Sequence, residues 1–153
     1  MNYSLFEELT KDEIKQLESI FEKKYIKKGT IIMQEGQIGD SAFFLLEGKV
    51  SIIKETMYGE DYIVTTIDSN GDEFFGEINL IDKGKRTSTI RALEDCIIFE
   101  TNSVKLETFM EDNKLIGYKI LKYMSKSLAK HLRKSDNDVL TLFNALVEVV
   151  END

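Results

Sequence analysis

The spacing of apolar residues changes twice along the chain. Near the start, apolar positions recur every three or four residues, as on one face of a helix: Ile14, Leu17, Ile20 and Phe21. Ser4 or Thr10 can cap one or two short helices there, and Glu13 suits a capping box with Thr10. From Tyr25 to Asn102 the apolar period is two, and beyond Asn102 it is helical again. The pattern predicts helices on both sides of a β region.

Glycines separate the short apolar segments of the middle region. They stand between runs such as SAFFLLEGKVSIIKET and DYIVTTID, at Gly29, Gly36, Gly39, Gly48, Gly59 and Gly71. Turns at intervals of about a dozen residues are typical of an antiparallel sandwich, jelly roll or barrel. We therefore expect an α+β, mainly β fold: an antiparallel β jelly roll or barrel flanked by N-terminal helices and a long C-terminal helix.

Three helical segments are expected after the β region. Ser103 can cap the first, and the second is a long helix from Leu115 to about Lys134. Residues 136–153 begin with Asp and Asn capping candidates and predict a short terminal helix that is not a separate domain. A chain of 153 residues suits one core, so we expect a single domain over residues 1–135 that includes the long helix.

The long helix carries two apolar stripes. One consists of Leu121, Met124, Leu128 and Leu132, and its neighbour of Ile116, Ile120, Tyr123 and Ser127. Exposed together with Leu142, these positions would form an adhesive patch, so we expect a homodimer built on this helix. The alternative is that both stripes pack on the β region of one subunit. The remaining face is basic and is expected to be solvated: Lys119, Lys122, Lys126, Lys130 and Arg133.

Composition narrows the class of function. The chain is 42% hydrophobic and 31% charged, with no apolar run long enough for a membrane span and an acidic start unlike a signal peptide, so we expect a cytoplasmic globular protein. The net charge of −8 opposes contact with a phosphate backbone. The single histidine, His131, is expected to be structural or solvated, and the single cysteine, Cys96, to be buried. A metal-dependent barrel enzyme is disfavoured, because it needs a histidine cluster.

The segment from Phe75 to Ala92, FGEINLIDKGKRTSTIRA, carries the most informative chemistry. Gly76 lets a ligand approach the backbone, and a helical turn beginning at Glu77 would direct free N–H groups at an anion. Arg86 can form a charge-assisted fork to phosphate oxygens. A carboxylate at Glu77 beside that anion needs a neutral donor, such as a ribose hydroxyl. These features together predict a site for a sugar joined to one phosphate.

This segment resembles the phosphate-binding cassette of the cyclic-nucleotide-binding domain family, which begins FGE and ends in Arg before small or hydroxylated residues and a strand. The turns KKGT, EGQIGD and EGKV are also similar to those of the family, and the resemblance covers about residues 3 to 135. It implies a sensor or regulatory module that binds cAMP or cGMP, without catalytic residues, metal or cofactor. Movement of its C-terminal helices would signal to an unidentified effector protein. Direct DNA binding is not expected, because the last residues are acidic and too few for a helix-turn-helix domain.

The resemblance also implies roles for individual residues. Arg86 would pair with the exocyclic phosphate, and Glu77 would bind the ribose 2′-hydroxyl. The other implied ligand-binding residues line the cassette or lie beside the phosphate and base: Gly76, Ile78, Asn79, Thr87 and Ser88.

Two departures from the family pattern accompany the resemblance. GDEFFGE has one residue more between Gly71 and Phe75 than the common form, and Asn79 stands where Ala, Gly or Ser is usual. A hydroxyl after the arginine, as at Thr87, occurs in receptors for both nucleotides, and we favour cAMP. The alternative function is a ligand-free interaction subunit that keeps the fold without binding nucleotide.

Overall fold

The computed structural model describes residues 8–69 and 74–151. It begins with helix α1 (Lys11–Glu18) and continues with strands β1 (Glu22–Ile26), β2 (Ile31–Met33), β3 (Ser41–Glu47), β4 (Lys49–Glu55), β5 (Asp61–Asp68) and β6 (Phe74–Phe75). Helix α2 (Glu77–Asp82) interrupts the strands before β7 (Thr89–Ala92) and β8 (Cys96–Asn102). Helices α3 (Ser103–Asp112) and α4 (Lys114–Glu151) follow. The predicted order of helix, strands and helix is confirmed.

The strands form two antiparallel sheets of four strands each. One has the order β1-β8-β3-β6 and the other β2-β7-β4-β5. The predicted jelly-roll class is confirmed, with two open sheets facing each other rather than a closed barrel.

Strand β3 is buried on both faces, because each face packs against a different layer. Phe43 and Leu45 contribute to the core between the two sheets. Ala42 and Phe44 contribute to a second core, which the sheet shares with the helices. The run SAFFLL therefore lacks a polar face. Cys96 belongs to the core between the sheets, as expected, and burial raises the pKa of its thiol.

The predicted capping box of α1 is confirmed. Thr10 Oγ1 accepts a hydrogen bond from the backbone N–H of Glu13 at 3.3 Å, and the backbone N–H of Thr10 donates to Glu13 Oε2 at 2.7 Å. Ser4, the other candidate cap, lies outside the described residues.

Helix α4 is a single helix of 38 residues, so the predicted break near residue 135 and the separate short helix over residues 136–153 are wrong. Ser, Asp and Asn at positions 135–138 disfavour a helix only weakly. Proline, which removes a backbone donor and would break the helix, does not occur in the chain. The capping candidates thus lie within a continuous helix. None of the described helices has an apolar stretch long enough to cross a membrane.

The two apolar stripes of α4 have different environments. Ile116, Ile120 and Met124 are buried in the core shared with the sheet. Leu121 and Leu132 are exposed. Packing on the sheet therefore uses Ile116 and Ile120 of one stripe together with Met124 of the other, and it leaves Leu121 and Leu132 available.

Three lysines of the basic face of α4 form ion pairs with the start of the described chain. Lys122 and Lys126 remain exposed, as expected, and Lys119 is partly buried. Lys119 Nζ lies 2.8 Å from Glu13 Oε2, and Lys122 and Lys126 lie 3.1 and 2.8 Å from the carboxylate oxygens of Glu8. These contacts join the first half of α4 to α1 and to Glu8, which precedes α1. Lys130 and Arg133 are exposed, as expected.

Candidate functional site

A cavity of about 430 Å³ lies between the second sheet, the cassette and α4. This volume falls within the range typical of small-molecule sites. The sheet contributes Ile52 and residues 64–67, among others, and α4 contributes Lys130, His131, Lys134, Ser135 and Asp138. Six of the seven predicted ligand-binding residues line the cavity: Gly76, Glu77, Ile78, Asn79, Thr87 and Ser88. The seventh, Arg86, is not among the lining residues.

Gly76 stands at the start of α2 in a conformation that only glycine adopts readily. Its φ is 79°, in the left-handed region. A Cβ at this position would lie 2.9 Å from the carbonyl oxygen of Ser41 and 3.0 Å from Arg86 Nη1. Glycine thus allows the cassette to approach both β3 and the arginine closely.

The Arg86 guanidinium is buried and bonded to neutral oxygens. The side chain is 6% exposed. Nη1 donates to the Ser41 carbonyl at 2.6 Å and to Asn79 Oδ1 at 3.2 Å, and Nη2 donates to Ser41 Oγ at 2.8 Å. Within residues 8–69 and 74–151, the structure records no ion pair between Arg86 and a carboxylate. A buried cation without a direct counter-ion is the electrostatic condition for binding an anion.

Longer-range charges act on Arg86 from the surrounding strands. Burial lowers the pKa of the Arg86 guanidinium, and the negative charges of Asp40 and Glu100 oppose this shift. The group keeps its positive charge at neutral pH, because arginine begins from a very high pKa.

Gly39 makes room for Arg86. A Cβ at this position would lie 2.6 Å from Arg86 Nε and 2.8 Å from Nη2, closer than atoms can approach. Sequence reasoning identified Gly39 only as part of a turn. The structure shows that it lies directly against the guanidinium.

The Glu77 carboxylate faces α4. Glu77 is 5% exposed, and its Oε1 lies 3.4 Å from Nδ1 of His131. The His131 side chain is 57% exposed, in keeping with the expected solvated residue, yet it also contacts this carboxylate. Lys130 and Lys134 line the same wall, which gives the cavity two cationic side chains.

Sequence reasoning missed this wall of the cavity. The five residues that α4 contributes recur at the spacing of one helical face. Any solvated face of a helix shows the same spacing, so the sequence does not distinguish a cavity wall from a surface. Only the packing of α4 on the sheet shows which face meets the cassette.

Asn79, one of the two departures from the family pattern, bridges the cassette. Its Nδ2 donates to the Gly84 carbonyl at 2.9 Å, while its Oδ1 accepts from Arg86. The larger side chain is thus accommodated without protruding as an exposed group. The other departure includes residues 71–73, which lie outside the described part of the chain.

Comparison with known proteins identifies the family of this site. Residues 23–113 match the cyclic nucleotide-binding domain. The chain is 29% identical over 116 residues to the cAMP-activated global transcriptional regulator Vfr of Pseudomonas aeruginosa, a match that covers 73% of this chain and 53% of that protein. It is 31% identical over 122 residues to human cGMP-dependent protein kinase 2, covering 75% of this chain and 16% of the kinase. The chain thus spans about half of the length of the first relative and much less of the second.

Solved structures agree on the fold. The catabolite activator protein of Thermus thermophilus superimposes with a TM-score of 0.78 at 23% identity, over 90% of this chain and 62% of that one. A cyclic nucleotide-binding domain from Methylobacillus flagellatus superimposes with a TM-score of 0.80 at 20% identity, over 86% of this chain and 73% of that one. At these identities the likeness concerns the fold alone. Together with the family match, which covers more than half of the sequence, it shows that the chain belongs to the cyclic nucleotide-binding domain family.

Proposed function

We propose that this chain is a cytoplasmic, non-enzymatic sensor that binds cAMP or cGMP in the cavity beneath α4. The observation that carries the proposal is the buried Arg86 guanidinium, bonded to neutral oxygens directly behind the cassette. An anion at the cassette would supply the missing negative charge. Movement of α4 would then report the bound state to an unidentified effector protein. The net charge of −8 argues against direct contact with DNA.

The groups of the nucleotide can be assigned to parts of the cavity. The phosphate would lie at the cassette, against the free donors of the Arg86 guanidinium, and the ribose hydroxyl would donate to the Glu77 carboxylate. The base would lie toward Thr87 and Ser88, under the wall formed by α4. We favour cAMP over cGMP, although the relatives include both a cAMP-activated and a cGMP-dependent protein.

Calorimetric titration of the full chain with cAMP and with cGMP tests this function. We expect saturable binding of one nucleotide per chain, and no measurable binding of adenosine at the same concentrations, because adenosine has no phosphate to pair with Arg86. If neither cyclic nucleotide binds, the chain is better explained by the alternative of a ligand-free interaction subunit.

We also propose that the chain forms a homodimer through α4. Five of the exposed apolar residues of its second half recur at spacings of three, four or seven, as in a coiled coil: Leu132, Val139, Leu142, Leu146 and Val149. A monomer would present them all to water. Met124 plays no part in this surface, because it is only 2% exposed and belongs to the core of one subunit.

The dimer is tested by Leu142→Glu, with Asn144→Glu as its matched control. Both positions are exposed on α4, but Asn144 lies away from the apolar stripe. Light scattering at micromolar concentration should give twice the chain mass of 17.6 kDa for the wild type and for Asn144→Glu, and the single mass for Leu142→Glu, because a carboxylate does not tolerate burial in the seam. A wild-type mass of one chain at every concentration would contradict the dimer.

A further inference from the structure

Asn79 uses both ends of its side-chain amide inside the cassette. The residue is 1% exposed, its Oδ1 accepts from Arg86 Nη1 at 3.2 Å, and its Nδ2 donates to the Gly84 carbonyl at 2.9 Å. Gly84 lies in the loop between α2 and Arg86. The amide is therefore fixed by the loop on one side and holds the guanidinium on the other.

The hydrogen bonds of Arg86 can be counted donor by donor. A guanidinium has five N–H groups, two on each Nη and one on Nε. The Ser41 carbonyl and Asn79 Oδ1 take both donors of Nη1, and Ser41 Oγ takes one donor of Nη2. Among the residues that the structure describes, none accepts from the Nε donor or from the second Nη2 donor, so both are left for another acceptor.

The side of the guanidinium that carries these two donors faces Gly39. A Cβ at Gly39 would approach Nε and Nη2 to 2.6 and 2.8 Å. With glycine there, no side chain of residue 39 covers these two donors. Nε and one Nη2 form the kind of parallel pair that binds two oxygens of a phosphate.

We propose that Asn79 is a positioning residue for Arg86: by accepting the second Nη1 donor, it fixes the guanidinium so that Nε and Nη2 are the pair offered to a phosphate. The identity of the anion rests on the function proposed above, whereas the effect of Asn79 on the guanidinium does not. Asn79 does this through Arg86, without pairing with the phosphate itself.

The guanidinium resonances of the ligand-free full chain test the proposal directly. The sequence has three arginines, Arg86, Arg91 and Arg133, so the nitrogen–proton spectrum of these groups is simple. In the wild type, Arg86 should give separate Nη signals, because its acceptors restrict rotation about Nε–Cζ. Arg133, which is exposed, should not.

Variants at Asn79 then remove or keep the acceptor. Asn79→Ala, and Asn79→Ser should alanine fail to fold, are expected to merge the Arg86 Nη signals, and Asn79→Asp should keep them separate because a carboxylate oxygen replaces Oδ1. Asp82→Ala is the matched control: it removes the hydrogen bond from the Gly84 N–H to Asp82 Oδ1 at 2.9 Å, in the same loop, without removing an acceptor of Arg86. This control should keep the signals separate.

Affinity for cAMP gives the second measurement. We expect Asn79→Ala to bind about tenfold more weakly than the wild type, and Asp82→Ala to stay within about twofold. Merged signals with weaker binding support the proposal. It is overturned if wild-type Arg86 shows no separate signals, if the signals stay separate in both Asn79→Ala and Asn79→Ser, or if they merge while the affinity is unchanged. Should the wild type bind neither nucleotide while Asn79→Ala merges the signals, the positioning role stands and the nucleotide-sensing function falls.

Discussion

Replacing Arg86 with alanine is expected to weaken cAMP binding by at least about 30-fold, or about 2 kcal/mol. The side chain supplies a charge-assisted fork in a buried setting, where such bonds are stronger than in water. Arg86→Lys should fall between the wild type and alanine, because lysine retains the charge but lacks the planar fork. Titration calorimetry measures the affinity of each variant for cAMP, and competition with a labelled nucleotide serves for the variant that binds most weakly.

The control for this series is Arg91→Ala. Arg91 also lies in the β region, but it forms an ion pair with Asp61 at 3.1 Å, whereas Arg86 lies against Gly76 of the cassette. Its replacement should leave the affinity within about twofold of the wild type, since an exposed pair of this kind contributes little. Equal affinities for Arg86→Ala and the wild type would refute the assignment of the phosphate to this arginine.

Glu77→Gln should weaken cAMP binding by about tenfold or more. A hydrogen bond to a charged acceptor contributes about 1.5 to 3 kcal/mol, against about 1 kcal/mol for a neutral one. Glutamine retains the size of the side chain, so the midpoint of thermal unfolding should change little. Calorimetry with cAMP and with its 2′-deoxy analogue tests whether the lost affinity comes from the ribose hydroxyl. The analogue should bind the wild type weakly, and Glu77→Gln should not lower the affinity for the analogue any further.

Glu60→Gln, an exposed carboxylate in the turn between β4 and β5, is the matched control and should bind like the wild type. Two results would count against the ribose assignment at Glu77. One is an unfolded Glu77→Gln variant, which would make the carboxylate a structural group. The other is a Glu77→Gln variant that weakens cAMP and the 2′-deoxy analogue by the same factor.

Local signals in the sequence were sufficient for much of the fold and for most of the cassette. The capping box at Thr10 and Glu13 spans three residues, and the structure forms it as expected. Six of the seven predicted ligand-binding residues line one cavity, because they lie close together in one continuous segment. Interactions of this range depend little on the rest of the fold.

Long-range contacts were beyond what the sequence indicates. The acceptors at Ser41 are 45 residues from Arg86, and nothing in the spacing of either residue connects them. His131 meets Glu77 only because α4 continues across the cavity, and this continuation was itself misjudged at Ser135. There, weak helix-disfavouring residues were overridden by the cooperativity of a helix already formed on the sheet.

The length of α4 has a mechanical consequence. At about 1.5 Å per residue, the stretch from His131 at the cavity to Glu151 is about 30 Å long. A stiff rod of that length acts as a lever arm: a tilt of about 10° at the cavity displaces its far end by about 5 Å, roughly one helical turn. A subtle rearrangement around Glu77 and His131 would thereby be amplified to a displacement that a neighbouring surface can distinguish.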